Sequence, residues 1–120
     1  MAKTIIIIDD EPRVRDVLKF KLEAKGYTVS IANNGEEGLE AIKSNKPDLV
    51  ILDTILPGID GFEVCKAIRK TKGIEGTKII MTTSKIDALD PVTARMLGAD
   101  DFVVKTLDFS KIIEAVKNIA

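Results

Sequence analysis

The chain has 120 residues, enough for one compact domain, and its net charge of −1 with 31% charged residues argues against a design built on a strongly basic face, leaving room only for a local patch, so no direct nucleic-acid binding is expected. It contains no histidine and one cysteine, Cys65, which excludes a Ser-His-Asp triad, a histidine-based zinc site, a phosphohistidine of its own and an internal disulfide. No apolar run approaches the ~20 residues that span a bilayer, and Met1-Ala2-Lys3 leads straight into a strand-like run, so neither a membrane insertion nor a signal peptide is expected and a reducing, cytoplasmic setting fits.

Short Ile/Val runs alternate with helix-period segments five times. Thr4–Ile8 is a continuous β-branched run, as expected of a strand covered on both faces. Pro12 suits the first turn of a helix carrying Val14, Val17, Leu18 and Leu22, and Gly26 is placed to stop it. Thr28–Ala32 alternates Val29 and Ile31 with polar residues, which suits an edge strand. Asn34 and Glu37 have capping-box spacing ahead of Leu39 and Ile42. Leu49–Asp53 reads as a central strand. Asp60 and Glu63 repeat the box ahead of Phe62, Cys65 and Ile68, and Gly73 ends that segment. Cys65, on the apolar face of this helix, is expected in the core. Residues 78–82 form another buried strand, a weaker helix over residues 92–97 precedes Gly98, and residues 102–104 form the last strand. The final helix, begun near Asp108, carries Phe109, Ile112, Ile113, Val116 and Ile119 on one stripe.

Five strand–helix units imply an α/β fold, a parallel sheet with right-handed crossovers and helices on both faces. Sites in such sheets form outside the carboxyl ends of the strands. There stand Asp9-Asp10-Glu11, Asp53, Thr83-Ser84 and Lys105. Asp9-Asp10 alone would serve as a turn cap, and Asp53, Thr83 or Lys105 alone would pass as turn, strand or surface residues. Two carboxylates ~4 Å apart, however, repel by ~4 kcal/mol at an effective dielectric near 20, so either one holds its proton or a divalent cation neutralises the cluster. Oxygen donors without nitrogen or sulfur suit Mg²⁺. A nucleophilic carboxylate, a metal, a hydroxyl and an ammonium together are the parts for phosphoryl transfer to an aspartate.

Asp9-Asp10-Glu11, Asp53 with Pro57-Gly58 and Asp60-Gly61 downstream, Ile79-Ile80-Met81-Thr82-Thr83, and the run from Gly98-Ala99-Asp100-Asp101 through Phe102-Val103-Val104-Lys105 resemble the motifs of response-regulator receiver domains, in order and over essentially the whole chain. The resemblance implies a single receiver domain over residues 1–120 and a flavodoxin/CheY-like (βα)5 sheet in strand order 2-1-3-4-5. It implies that Asp53 accepts the phosphoryl group. Asp10, Asp53 and the backbone carbonyl of Ile55 would bind Mg²⁺ (Mn²⁺ being admissible), with Asp9 assisting. Thr83 and Lys105 would hold the phosphate, Ser84 would offer an extra contact, and Phe102 matches an aromatic switch position. Ile55 and Lys85, two residues after Asp53 and Thr83, would flank the phosphoryl group and tune its lifetime. An apolar Ile55 cannot orient an attacking water, so a long-lived acyl phosphate is expected.

The implied partners are a sensor histidine kinase or a histidine phosphotransfer protein as donor, a small acyl phosphate being an alternative, and a downstream target on the fourth helix, fifth strand and fifth helix around residues 88–99, Phe102 and Leu107. A monomer is expected, and Met1 with the lack of a linker favours a free-standing protein. No enzyme activity is expected beyond assistance to its own phosphorylation and dephosphorylation. One departure stands out: Thr106 replaces the proline that usually follows the active-site lysine through a cis peptide. A cis bond before a non-proline residue costs ~2.5–4 kcal/mol, so the Lys105–Thr106 bond is predicted to be trans.

Three other readings compete. A phosphatase of the haloacid-dehalogenase type wants a second acid where Ile55 stands. A flavodoxin-like carrier wants a hydroxyl- or glycine-rich phosphate loop where Asp9-Asp10-Glu11 would repel the flavin phosphate. A receiver-like scaffold that is never phosphorylated draws support from Thr106 alone.

Overall fold

The computed structural model describes residues 3–84 and 91–119. Within it, strands and helices alternate: β1 Thr4–Ile8, α1 Pro12–Glu23, β2 Thr28–Ala32, α2 Gly35–Asn45, β3 Leu49–Asp53, α3 Gly61–Lys70, β4 Lys78–Thr83, α4 Pro91–Met96, β5 Asp101–Val104 and α5 Ser110–Ile119. All strand pairs are parallel, in the order β2-β1-β3-β4-β5. This is the expected doubly wound α/β sheet, with β2 at an edge and β1, β3 and β4 in the centre.

The central strands are apolar on both faces because each face is roofed by helices. Ile6 and Ile8, Val50 and Leu52, and Ile79 and Met81 point to one side, where they pack with Ile42 of α2, with Val64, Cys65 and Ile68 of α3 and with Ala94 of α4. Ile5 and Ile7, Leu49 and Ile51, and Ile80 point to the other, against Val14, Leu18 and Leu22 of α1 and Ile112, Ala115 and Val116 of α5. The period-2 alternation thus sorts the apolar side chains of the central strands between two cores. The edge strand departs from expectation at Ile31, which is 39% exposed although Val29 is buried.

Helix ends follow the capping signals with local differences. Asn34 accepts from the Glu37 backbone N–H at 2.8 Å, and Asp60 and Glu63 form a complete reciprocal box. α1 ends at Glu23, ahead of Gly26, whose φ of +97° lets the chain turn into β2. The start of α5 corrects the sequence reading. Phe109 lies before the helix with φ of +58°, buried in the α1/α5 core, while the Asp108 carboxylate accepts from the Ser110 N–H and the Thr106 hydroxyl, both at 3.0 Å. Phe109 enters the core as a wedge on the loop. The Lys105–Thr106 peptide is trans, as predicted.

Candidate functional site

β1 and β3 are neighbours in register, Ile8 opposite Leu52, so their carboxyl ends deliver Asp9-Asp10 and Asp53 to the same spot. One carboxylate oxygen from each of Asp9, Asp10 and Asp53 lies within 4.8 Å of the other two. Asp9 and Asp53 are buried, at 2% and 6% exposure, and Asp10 faces solvent. Asp9 is pinned on both oxygens: Oδ1 accepts from the Glu11 N–H at 2.9 Å and Oδ2 from the Lys105 ammonium at 2.6 Å.

Lys105 arrives from the far side of the sheet. Its N–H donates to the Thr83 carbonyl at 2.7 Å, extending the β4/β5 ladder by one residue. Its side chain is only 6% exposed, and Nζ stands 3.3 Å from Asp53 Oδ2. Four of the five charged residues expected at the carboxyl ends, Asp9, Asp10, Asp53 and Lys105, therefore converge on one pocket. Thr83 ends β4 and is buried. Ser84 is exposed and lines a cleft of about 210 Å³ in front of Lys105, with Glu11, Arg13, Thr106 and Leu107. The Ile55 N–H points at Asp53 Oδ1 at 3.5 Å while its side chain is 59% exposed. Phe102 is half-buried on β5, packed against the α2–α4 core. Lys85 lies outside the described residues, as do positions 88–90 of the expected target surface.

The pocket holds three carboxyls against one ammonium. Burial raises the Asp53 carboxyl most, the nearby Asp9 charge raises it further, and Lys105 offsets only part, leaving it at about 6 against an ordinary 3.8. Burial alone would lower the Lys105 ammonium, but its hydrogen bond to Asp9 and the charges of Asp9 and Asp53 outweigh that and hold it above its ordinary value. A site that cannot comfortably ionise all its acids, and offers only oxygen donors from them, fits a hard divalent cation.

Other contributors escaped the sequence reading. Thr54, just after Asp53, is buried, and both its N–H and its hydroxyl donate to the Thr82 carbonyl, at 3.0 and 3.2 Å. A Cβ on Gly61 would stand 2.2 Å from the Asp53 carbonyl oxygen, so only glycine lets α3 start against the end of β3. Arg15 donates from Nη1 to the Asp9 carbonyl at 2.8 Å. Gly61 had been read only as part of the Asp60-Gly61 motif, without its packing role, and the prior signal for the other two was position: Thr54 next to a strand-end acid, Arg15 beside an apolar stripe.

Fold and pocket together define a doubly wound α/β domain with an acidic, lysine-bridged site at its switch point, the class in which aspartate-centred signalling domains fall. The family model of the response regulator receiver domain matches residues 5–117, and the chain belongs to that family. The chain is 41% identical to the response regulator TrrA of Thermotoga maritima, whose structure is a complex with Mg²⁺ and beryllofluoride (TM-score 0.88; 98% of this chain and 99% of that one covered). It is 31% identical to a CheY-like receiver domain protein of Methanospirillum hungatei (TM-score 0.88; 98% and 93% covered). The chemotaxis regulator CheY4 of Vibrio cholerae, 24% identical, shares the fold over the full length of both chains with a TM-score of 0.92. Receiver domains are switches of two-component signalling that work with histidine kinases or phosphotransfer proteins and downstream targets, and are not classical enzymes. No helix among the described residues is long and apolar enough to cross a membrane.

Proposed function

We propose that the chain is a single receiver domain over residues 1–120 and a phosphoacceptor switch, in which Asp53 takes a phosphoryl group from the phosphohistidine of a sensor kinase or phosphotransfer protein, or from a small acyl phosphate. The observation that carries this reading is the Lys105 ammonium buried between Asp9 and Asp53 at the mouth of an all-oxygen acid cluster. An Asp53 carboxylate oxygen attacks phosphorus, the bond from phosphorus to the donor nitrogen breaks with its electron pair going to the imidazole, and Asp53 becomes an acyl phosphate. Asp9, Asp10, Asp53 and the Ile55 carbonyl are the groups that would hold Mg²⁺, and nothing among them favours Mn²⁺. When bound, the ion neutralises charge developing on the phosphoryl oxygens. Lys105 stays beside Asp53 and pairs with a phosphoryl oxygen, while the Thr83 hydroxyl and Ser84 offer hydrogen bonds.

Arrival of a dianion where a carboxylate stood changes what Lys105 and Thr83 bind, and the β4 and β5 ends they stand on carry that change outward. Phe102, half-buried on β5, is the aromatic group placed to respond. The output face comprises α4, β5 and α5, where Val92 and Met96 are 63% and 81% exposed. A shift from 1:99 to 99:1 between two states requires about 5.5 kcal/mol of differential stabilisation, within reach of two or three charge-assisted hydrogen bonds. We further assign the domain to the cytoplasm as a monomer. Lys105 Nζ, 3.3 Å from Asp53, supports the phosphoacceptor reading over that of a scaffold that is never phosphorylated.

Intact-mass measurement after incubation with acetyl phosphate tests the proposal. The wild type gains one phosphoryl mass in Mg²⁺ and none in EDTA, and Asp53→Asn gains none. Equal labelling of the variant would overturn the assignment of Asp53.

A further inference from the structure

Resting on the phosphoacceptor reading, we infer that Arg15 is a positioning residue for the cation site, aiming Asp10 by holding the peptide that precedes it. Asp9 is fixed at four points. Its N–H donates to the Ala32 carbonyl at 3.3 Å, its two carboxylate oxygens accept from Glu11 and Lys105, and its carbonyl accepts from Arg15 Nη1 at 2.8 Å. Asp10 is different. It is exposed, and its carboxylate makes no hydrogen bond or ion pair among the described residues, yet it supplies the third oxygen of the cluster. Nothing of its own holds it there.

The direction in which the Asp10 side chain leaves the backbone is set by the peptide plane between residues 9 and 10, whose oxygen is the atom that Arg15 grips. Arg15 is well anchored for the task. It stands in the first turns of α1, and its own N–H donates to the Glu11 carbonyl at 3.1 Å. Its guanidinium Nε is buried with no hydrogen-bond partner among the described residues. A buried donor left unpaired is a feature that stability alone does not favour. The side chain trades that bond for a reach that places Nη1 on the Asp9 carbonyl.

A cation held for charge alone would repel Mg²⁺, whereas a positioning cation helps it bind, and the two roles have opposite signs. Groups that orient metal ligands typically change affinity ~10–100-fold when removed. The test is Mg²⁺ titration by calorimetry on wild type, Arg15→Met, Arg15→Lys and Asp10→Asn, with amide NMR spectra of the metal-free proteins. Arg15→Met is expected to weaken Mg²⁺ binding about tenfold and to broaden or shift the Asp10 amide before any metal is added. Arg15→Lys, which keeps a donor for the same carbonyl, is expected to recover part of the affinity. Asp10→Asn is expected to lose less affinity when made in Arg15→Met than in the wild type.

Unchanged or tighter Mg²⁺ binding by Arg15→Met, with the wild type binding normally, would overturn the positioning role and leave the phosphoacceptor reading intact. If Arg15→Met does not fold, full wild-type affinity together with an unmoved Asp10 amide in Arg15→Gln, whose shorter side chain does not reach the Asp9 carbonyl, would equally refute the inference. A wild type that binds no Mg²⁺ would remove the reading beneath it.

Discussion

Asp53 is held where a charge is unwelcome, so removing that charge should stabilise the protein. Its carboxyl titrates at about 6 in the fold against 3.8 when free, first because it is buried and second because Asp9 stands beside it. Between those two pH values the unfolded chain has released the proton and the folded chain has not, so stability falls as pH rises through that window. The rise in pKa corresponds to a stability penalty of about 3 kcal/mol, complete above pH ~7 and absent below pH ~3.8. Asp53→Asn keeps the shape of the side chain without the charge, and Lys105 keeps its 2.6 Å bond to Asp9. In EDTA at pH 7.5 the variant should therefore unfold at higher urea concentration, by up to about 3 kcal/mol, or roughly 10 °C in Tm for a domain of this size. At pH 4 the gap should close. A variant less stable than wild type at pH 7.5, or a gap that does not change with pH, would refute the electrostatic reasoning and point to packing.

The other predictions concern the same corner and its frame. Lys105→Met leaves Asp9 and Asp53 buried without their cation and should cost about 3 kcal/mol at pH 7.5 by urea unfolding, and less at pH 5, where Asp53 takes up a proton. Because the Lys105 ammonium is held above its ordinary 10.5, its stabilisation is complete below pH 10.5 and is lost as pH rises further, so alkaline titration of the wild type should show a loss that Lys105→Met lacks. Gly61→Ala forces a methyl against the Asp53 carbonyl and the Thr54 Cα and should destabilise by at least ~2 kcal/mol, read as a lowered Tm. Lys46 ends α2 with φ of +47°, so Lys46→Gly should gain ~0.5–1 kcal/mol in the same assay. Once Asp53 is phosphorylated, Ile55→Asn should shorten the acyl phosphate lifetime, followed by loss of the added mass; an unaltered lifetime would deny Ile55 a rate-tuning role.

Much of this was legible in the sequence because it follows from local pattern. The unbroken β-branched runs of β1, β3 and β4 announced strands roofed on both sides and set Asp9, Asp10 and Asp53 at carboxyl ends, while the order that makes β1 and β3 neighbours came from the resemblance to receiver domains. What sequence could not give was tertiary. Lys105 taken alone reads as a surface lysine, and its burial depends on the loop after β5 folding back over two acids 96 and 52 positions earlier. Phe109 matched a helical stripe, but the Asp108 turn starts α5 one residue later and sends the ring into the core from a left-handed backbone. Arg69 appears as an ordinary surface residue at the end of α3. In the fold its guanidinium donates to the Gly98, Thr77 and Glu75 carbonyls and pairs with Asp100 at 3.0 Å, tying α3 to the α4–β5 turn. Long polar side chains that bridge distant backbone carbonyls leave no periodicity to read.

Everything turns on which atom becomes phosphorylated. Treatment of the acetyl phosphate product with borohydride, which reduces an acyl phosphate to the alcohol, followed by peptide sequencing in a mass spectrometer, locates it directly. Homoserine at position 53 and at no other aspartate is the predicted result; reduction at Asp9 or Asp10 instead, or label that survives borohydride as a hydroxyl ester, would contradict it.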